Sequence, residues 1–135
     1  MGQQRAGEPD DGLADAFDRH VELLQEVRQG LAAVVTATGQ LESHCVRLRA
    51  HCDELERRAR EALAGGREEA ARRALELRVA ALDEAAGLDA QTAALRSRRD
   101  ALVERERTLT ELMTRLRSER DRLKAAQRGF ADGSE

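Results

Sequence analysis

Two His-Cys pairs, His44-Cys45 and His51-Cys52, are the residues whose types could hold a metal ion. Two thiolates and two imidazoles would suit a tetrahedral zinc site. The second pair follows the first by seven residues, which is about 10.5 Å along a helix, so one helix cannot bring all four side chains to one ion. The pattern instead indicates that the cysteines are small apolar seam residues and that the histidines lie on a wetter flank. No metal or other cofactor is predicted.

The remaining reactive side chains form no recognisable catalytic motif. No Gly-rich phosphate loop follows a strand pattern, and no nucleophile stands beside a candidate base, so enzymatic activity is not expected. A disulfide between Cys45 and Cys52 within one chain fails, because bridged cysteines need Cα atoms within about 7 Å. A bridge between two chains, and with it a redox role, stays open.

The composition is typical of long amphipathic helices. Charged residues make up 36% of the 135 residues and aromatic residues only 1%, which disfavours a globular core with a pocket for a small-molecule substrate. A net charge of −3, with basic and acidic residues interleaved, disfavours nucleic-acid binding. No apolar run approaches the roughly 20 residues that cross a bilayer, and the N-terminus has no apolar signal-peptide centre. We therefore expect a cytoplasmic protein, and peripheral contact with the inner face of the cell membrane stays open.

Glycine and proline divide the chain into a leader, two helix-favouring stretches and a tail. Gly65 is predicted to be the left-handed residue that closes the first helix, and Gly129 to stop the second. The predicted segments are a disordered acidic leader (1–12), a helical hairpin (13–128, with helix 13–64, turn 65–66 and helix 67–128) and a disordered tail (129–135).

An apolar heptad repeat predicts that both stretches are coiled-coil helices. The seam of the first helix, which only His20 and Thr38 interrupt, consists of Phe17, His20, Leu24, Val27, Leu31, Val34, Thr38, Leu41, Cys45, Leu48, Cys52, Leu55, Ala59 and Ala62. The second helix has a leucine every seven residues, at Leu88, Leu95, Leu102, Leu109, Leu116 and Leu123. The predicted companions of this leucine row, mostly polar, are Gln91, Arg98, Arg105, Leu112, Glu119 and Ala126.

Two further leucines, Leu75 and Leu82, stand one position out of phase with the later leucine row. Because Gly87 lies at the shift, a local change in helix winding is expected there. The short Gly-Gly connection predicts that the two helices fold back on each other. An acidic start of the first helix and a basic end of the second favour the same pairing. The predicted fold class is all-α, a long antiparallel two-helix coiled-coil hairpin.

The segment from Leu55 to Arg78 resembles the hairpin tip of the phage shock protein A (PspA) family. That family has an Ala-x-x-Ala-Leu segment, a short turn and then a Glu-Asp-Leu-Ala-Arg-x-Ala-Leu segment. The corresponding residues here are Ala59, Ala62, Leu63, Glu68, Glu69, Ala71, Arg72, Ala74 and Leu75. This chain departs from the pattern at Glu69, where the family tends to have Asp, and at Ala70, where it tends to have Leu. Weaker similarity extends over about residues 21–127.

The resemblance implies a non-enzymatic protein of the bacterial envelope and membrane-stress response, related in architecture to the ESCRT-III membrane-remodelling proteins. It would act by self-association or by binding longer family members. Members usually begin with a basic amphipathic helix that enters lipid and continue past the hairpin into further helices, and this chain is expected to lack both. The alternative is a soluble coiled-coil adaptor or regulator with no membrane role.

Alanines are spread around the middle of the second helix more widely than a single seam can cover. A two-helix hairpin buries little surface, and domains with thin cores gain stability by association. We predict lateral packing through this stretch, with Ala86 and Ala93 as candidate self-association residues. The alternative is that the alanines serve helix propensity alone. The expected partners are a second copy of the chain or other coiled-coil proteins.

Overall fold

Two long helices form the part of the chain that the computed structural model describes, residues 9–133. Helix α1 runs over Pro9–Ala64 and helix α2 over Glu68–Gly133. Within this range there is no strand, and the two helices pack against each other as a hairpin. The predicted fold class is therefore confirmed. The predicted disorder of residues 1–8 and 134–135 lies outside the described residues.

Both helices extend beyond their predicted limits. Helix α1 begins at Pro9 rather than Leu13, because proline, with its fixed φ and missing N–H, suits the first position of a helix. Helix α2 continues through Gly129, the predicted stop, to Gly133. An exposed glycine costs a helix only about 1 kcal/mol relative to alanine, so it does not by itself end one. Residues 9–12 and 129–133 are thus helical in the structure rather than disordered.

The turn between the helices is a Schellman motif. The N–H of Arg67 donates to the carbonyl of Ala62 (2.8 Å), and the N–H of Gly66 donates to the carbonyl of Leu63 (3.1 Å). Gly66 has a φ of 72°, so it is the left-handed residue, and the prediction of Gly65 for this role is wrong by one position. Arg67 then lies in the turn, and α2 begins at Glu68.

The chain divides into two compact units, each built from a segment of α1 and a segment of α2. The terminal unit contains the described residues within Met1–Leu31 and Ala101–Glu135, and the tip unit contains Ala32–Asp100. In the terminal unit Leu24, Val27 and Leu109 form a buried cluster. In the tip unit Cys45, Ala85 and Leu88 form another, flanked by partly buried leucines of α1.

Alanines continue the leucine row of α2 towards the turn. Ala81 and Ala74 stand seven and fourteen residues before Leu88, and both are buried. Helix α2 stays α-helical through Gly87, the position at which a local change in winding was predicted. Leu75 and Leu82 are exposed, whereas Ala74 and Ala81, each one position earlier, are buried.

The second line of seam residues on α2, beside the row of Ala74, Ala81 and Leu88, consists of different residues from those predicted. These companions stand four residues after each position of that row, and in the tip unit they include Arg78, Ala85 and Thr92, which are buried or partly buried. The predicted companions, three residues after each leucine, are exposed except for the partly buried Leu112. The hydroxyl of Thr92 donates to the carbonyl of Leu88 (2.8 Å), so this polar companion is satisfied within its own helix.

Candidate interaction surface

The histidines and cysteines do not converge on one point. Cys45 and Cys52 are free thiols buried in the seam of α1, whereas His44 and His51 are exposed. The Nε2 atom of His44 lies 3.8 Å from a carboxylate oxygen of Glu84 across the hairpin. Among the residues that the structure describes, no group of three or more metal-ligating side chains is close enough to hold an ion.

A hydrogen-bonded cluster joins α1 to α2 around Asp89. One carboxylate oxygen accepts from the thiol of Cys45 (3.2 Å), and the other accepts from the guanidinium of Arg49. The hydrogen bond from Cys45 and then the hydrogen bond and charge of Arg49 lower the pKa of Asp89. Hydrogen bonding with Cys45 and Asp89 raises the pKa of Arg49. The cluster therefore links Cys45 and Arg49 of α1 to Asp89 of α2 by hydrogen bonds.

Two more charged contacts cross between the helices of the tip unit. Arg96 donates to Glu42 (2.5 Å), and Arg78 lies 3.8 Å from Glu56. Glu42 and Glu56 stand seven residues either side of Arg49, so the three side chains share one flank of α1. The partners on α2 occur in reverse order, as an antiparallel pair requires. The partners are exposed or partly exposed, and such pairs select register more than they add stability.

The tip unit has large apolar residues on its outside. Leu75 is 44% exposed, Val79 58% and Leu82 37%, and Leu63 at the end of α1 is 56% exposed. Leu75 and Val79 line one shallow groove together with Leu63. The three α2 residues are spaced by four and three, and the exposed Ala86 and Ala93 continue the same phase. We call these five α2 residues the outer row.

Near the turn, small residues are buried in the same unit. They are Ala59 and Ala62 of α1 and Ala71 and Ala74 of α2, each 8% exposed or less. The residues of the tip motif therefore divide between two faces, because its alanines are buried while Leu63, Glu68, Glu69, Arg72 and Leu75 are exposed. Sequence reasoning missed Val79 and Leu82 as surface residues. The one-position phase shift of Leu75 and Leu82 was the available signal for a second apolar face.

The predicted seam residues lie on the facing sides of the helices. The buried residues of the predicted seams are Leu24, Val27, Val34, Thr38, Cys45, Cys52, Leu55, Ala59, Ala62, Leu88 and Leu109. The partly buried ones are Leu31, Leu41, Leu48, Leu95, Leu102, Leu116 and Leu123. The seam residues of each unit are thus buried or partly buried, whereas the outer row is exposed and faces no helix within residues 9–133.

No helix within the described residues is long and apolar enough to cross a membrane. A comparison with individual curated proteins gives no significant match. A model of the PspA/IM30 family, in contrast, matches residues 7–129, a range that includes the tip motif, the turn and nearly all of both helices. The match agrees with the resemblance seen at the hairpin tip. On this evidence the chain belongs to the PspA/IM30 family.

Proposed function

We propose that this chain is a PspA-like coiled-coil protein of the bacterial envelope and membrane-stress response. It acts without catalysis, by packing against further copies of itself or against longer members of its family. Membership in the PspA/IM30 family, a non-enzymatic helical family, supports a PspA-like role without catalysis. The outer row is the single observation that supports association with other helices, because it gives α2 an apolar face that its own hairpin leaves uncovered.

The distribution of large and small apolar side chains near the turn of the tip unit supports association. Scattered exposed apolar residues are normal on a soluble protein, but Leu75, Val79 and Leu82 recur on one face at coiled-coil spacing. Alanines such as Ala74 and Ala81 occupy the inner positions, where larger side chains would bury more surface. Between Ala71 and Leu82, α2 therefore buries alanines and exposes Leu75, Val79 and Leu82, a distribution suited to a helix that packs on both sides.

Ala86 and Ala93 extend this face towards the middle of α2. Both are exposed, and their small side chains would let another helix approach closely. We therefore assign the lateral contact to the outer row as a whole, with the leucines and valine near the turn and the alanines beyond them.

Replacing Ala86 and Ala93 with glutamate tests this contact. The double variant should lose association while keeping helicity, because exposed helical sites accept glutamate. Ala80→Glu with Ala94→Glu is the matched control, since these exposed alanines of α2 lie on other faces. Sedimentation velocity over a hundredfold concentration range gives the readout. A wild type that stays monomeric at every concentration would contradict the proposal. An associating wild type whose sedimentation is unchanged in both double variants would contradict it as well.

Liposome co-sedimentation tests the membrane part. We propose that the protein lies at the inner face of the cell membrane through contact with a longer family member rather than by its own insertion. It should pellet with anionic vesicles when a full-length family member is present and stay in the supernatant when that member is absent. Failure to pellet both with and without the full-length member would favour the alternative function, a soluble coiled-coil adaptor with no membrane role.

A further inference from the structure

We propose that Arg117 and Arg120 of α2 form an oxyanion-binding site in the terminal unit, with Phe17 of α1 as the surface that holds their guanidinium groups. The ligand chemistry is a phosphate monoester, which carries close to two negative charges at neutral pH. These residues belong to the terminal unit and the outer row to the tip unit, so the inference does not depend on the proposed self-association.

The ring of Phe17 gathers two cations. The central carbon of the Arg117 guanidinium lies 5.9 Å from the ring centre, and that of Arg120 lies 5.5 Å from it. Both distances are within the range of cation–π attraction. Because attraction to a ring engages the flat face of a guanidinium, the N–H groups around its edge stay available to an acceptor. Phe17 therefore orders two cationic groups without using up their hydrogen-bond donors.

These donors have few acceptors in the chain itself. The Nε atom of Arg120 is buried without a hydrogen-bond partner, and the carboxylate of Asp121 lies 3.9 Å from it, beyond hydrogen-bond distance. Arg117 makes no ion pair among the residues that the structure describes. Glu119 is occupied by Arg122 at 3.2 Å. A buried donor without an acceptor costs free energy that an incoming oxyanion can recover.

The spacing along α2 brings the cations within reach of one ligand. Arg117 and Arg120 stand three residues apart, where the Cβ atoms of a helix are about 5–6 Å apart. Lys124 is exposed four residues further on, so a third cation shares this face. The acidic residues beside the ring, Asp15 and Asp18, are exposed and form no ion pair with either arginine. Two guanidinium forks and an ammonium group suit a doubly charged group with several oxygen atoms better than a single carboxylate.

Titration of the full chain with inorganic phosphate tests the site, with sodium chloride keeping the ionic strength constant. The Nε–H resonances of Arg117 and Arg120 in NMR spectra locate the contact, and the phosphorus line width of the ligand measures binding in every variant. We expect both arginine resonances to shift and saturate. The expected dissociation constant is on the order of 1 mM, the affinity of a few charge-assisted hydrogen bonds.

A charge-matched pair of variants separates a site from general attraction. Arg117→Gln with Arg120→Gln should weaken phosphate binding at least tenfold. Arg115→Gln with Arg122→Gln removes the same charge from two exposed arginines of α2 and should stay within twofold of the wild type. Arginine resonances that shift linearly without saturating, or equal losses in the two double variants, would overturn the site.

Phe17→Leu tests the role of the ring, because leucine keeps an apolar seam residue and removes the cation–π contacts. Phosphate binding should weaken severalfold while helicity, measured by circular dichroism, stays the same. Unchanged binding in this variant would overturn the assignment of Phe17 as the surface that orders the arginines.

Vesicles of phosphatidylcholine with phosphatidic acid, whose headgroup is a phosphate monoester, distinguish a lipid from a soluble source of the ligand. We expect the wild type alone to stay in the supernatant, because one site of millimolar affinity does not hold a chain on a vesicle. The ligand is then a soluble phosphate monoester. Pelleting that Arg117→Gln with Arg120→Gln abolishes would instead identify the headgroup as the ligand. That result would support the oxyanion site and contradict the indirect membrane contact proposed above.

Discussion

At the residue scale, Gly66 shows the strictest requirement for one amino acid. Among the described residues it alone has a positive φ, and both hydrogen bonds of the Schellman turn depend on that conformation. Gly66→Ala should lower the free energy of unfolding by about 1–2 kcal/mol, the cost of a left-handed alanine. Gly65→Ala is the control, because an added Cβ there meets only ordinary contacts. Urea denaturation of both variants gives the comparison, and equal losses would contradict the assignment.

The cluster around Asp89 leads to a prediction about pH. Because the pKa of Asp89 is lower in the folded chain than its ordinary value of 3.8, the folded state holds this proton less tightly than the unfolded state. The contribution of Asp89 to stability is therefore present above about pH 4 and is lost as pH falls through the folded pKa. Asp89→Asn should be less stable than the wild type at pH 7, and the difference should shrink by pH 2.

Thermal unfolding followed by circular dichroism at low protein concentration measures that difference. Asp83→Asn is the control, since Asp83 is an exposed aspartate of the same helix. An Asp89→Asn deficit that stays constant between pH 7 and pH 2 would show that the carboxylate charge is not what stabilises the cluster.

At the element scale, the two faces of the tip unit should respond differently to the same substitution. Leu55 is 2% exposed and lies in the inner seam, whereas Leu63 is 56% exposed on the outside. Leu55→Ala should cost about 2–4 kcal/mol through lost burial and the cavity left behind. Leu63→Ala should change the stability of the monomer by no more than about 0.5 kcal/mol. Chemical denaturation at low concentration measures both, and similar losses would mean that Leu63 is packed inside the hairpin.

The element scale also explains why α2 needs two apolar rows. The inner row follows the heptads of Leu88 and Leu95 back to Ala81 and Ala74, which are both buried. An α-helix keeps its phase, so Leu75 and Leu82 cannot join this row without a rotation of about 100°. They remain outside, and α2 has a second face to pack.

At the scale of the whole molecule, association through the outer row should make stability depend on concentration. Binding that favours the folded state raises the melting temperature by mass action. The wild type should melt several degrees higher when its concentration is raised a hundredfold. Val79→Glu should lose this dependence and melt at the temperature that the dilute wild type shows, because Val79 is 58% exposed in the monomer. A Val79→Glu variant that retains the full shift would place the contact elsewhere.

The amino-acid sequence determined the helical hairpin and its family. Gly65 and Gly66 interrupt two long heptad patterns, and a period of seven cannot be satisfied by strands. The first seam was readable because its residues, such as Leu24 and Leu55, are larger and more apolar than their neighbours. The ends of the helices were less predictable, since an exposed glycine such as Gly129 permits a helix as well as a break.

Only the tertiary structure decided which face of α2 meets α1 in the tip unit. Alanine is small and favours helices both when it is buried and when it is exposed, so Ala74 and Ala81 carry no signal of their own in the sequence. The leucines at Leu75 and Leu82 look like seam residues by type. In the folded hairpin Ala74 and Ala81 are buried while Leu75 and Leu82 are exposed. Burial depends on which face of α2 meets α1, and that is the physical reason the outer row could be located only with both helices in place.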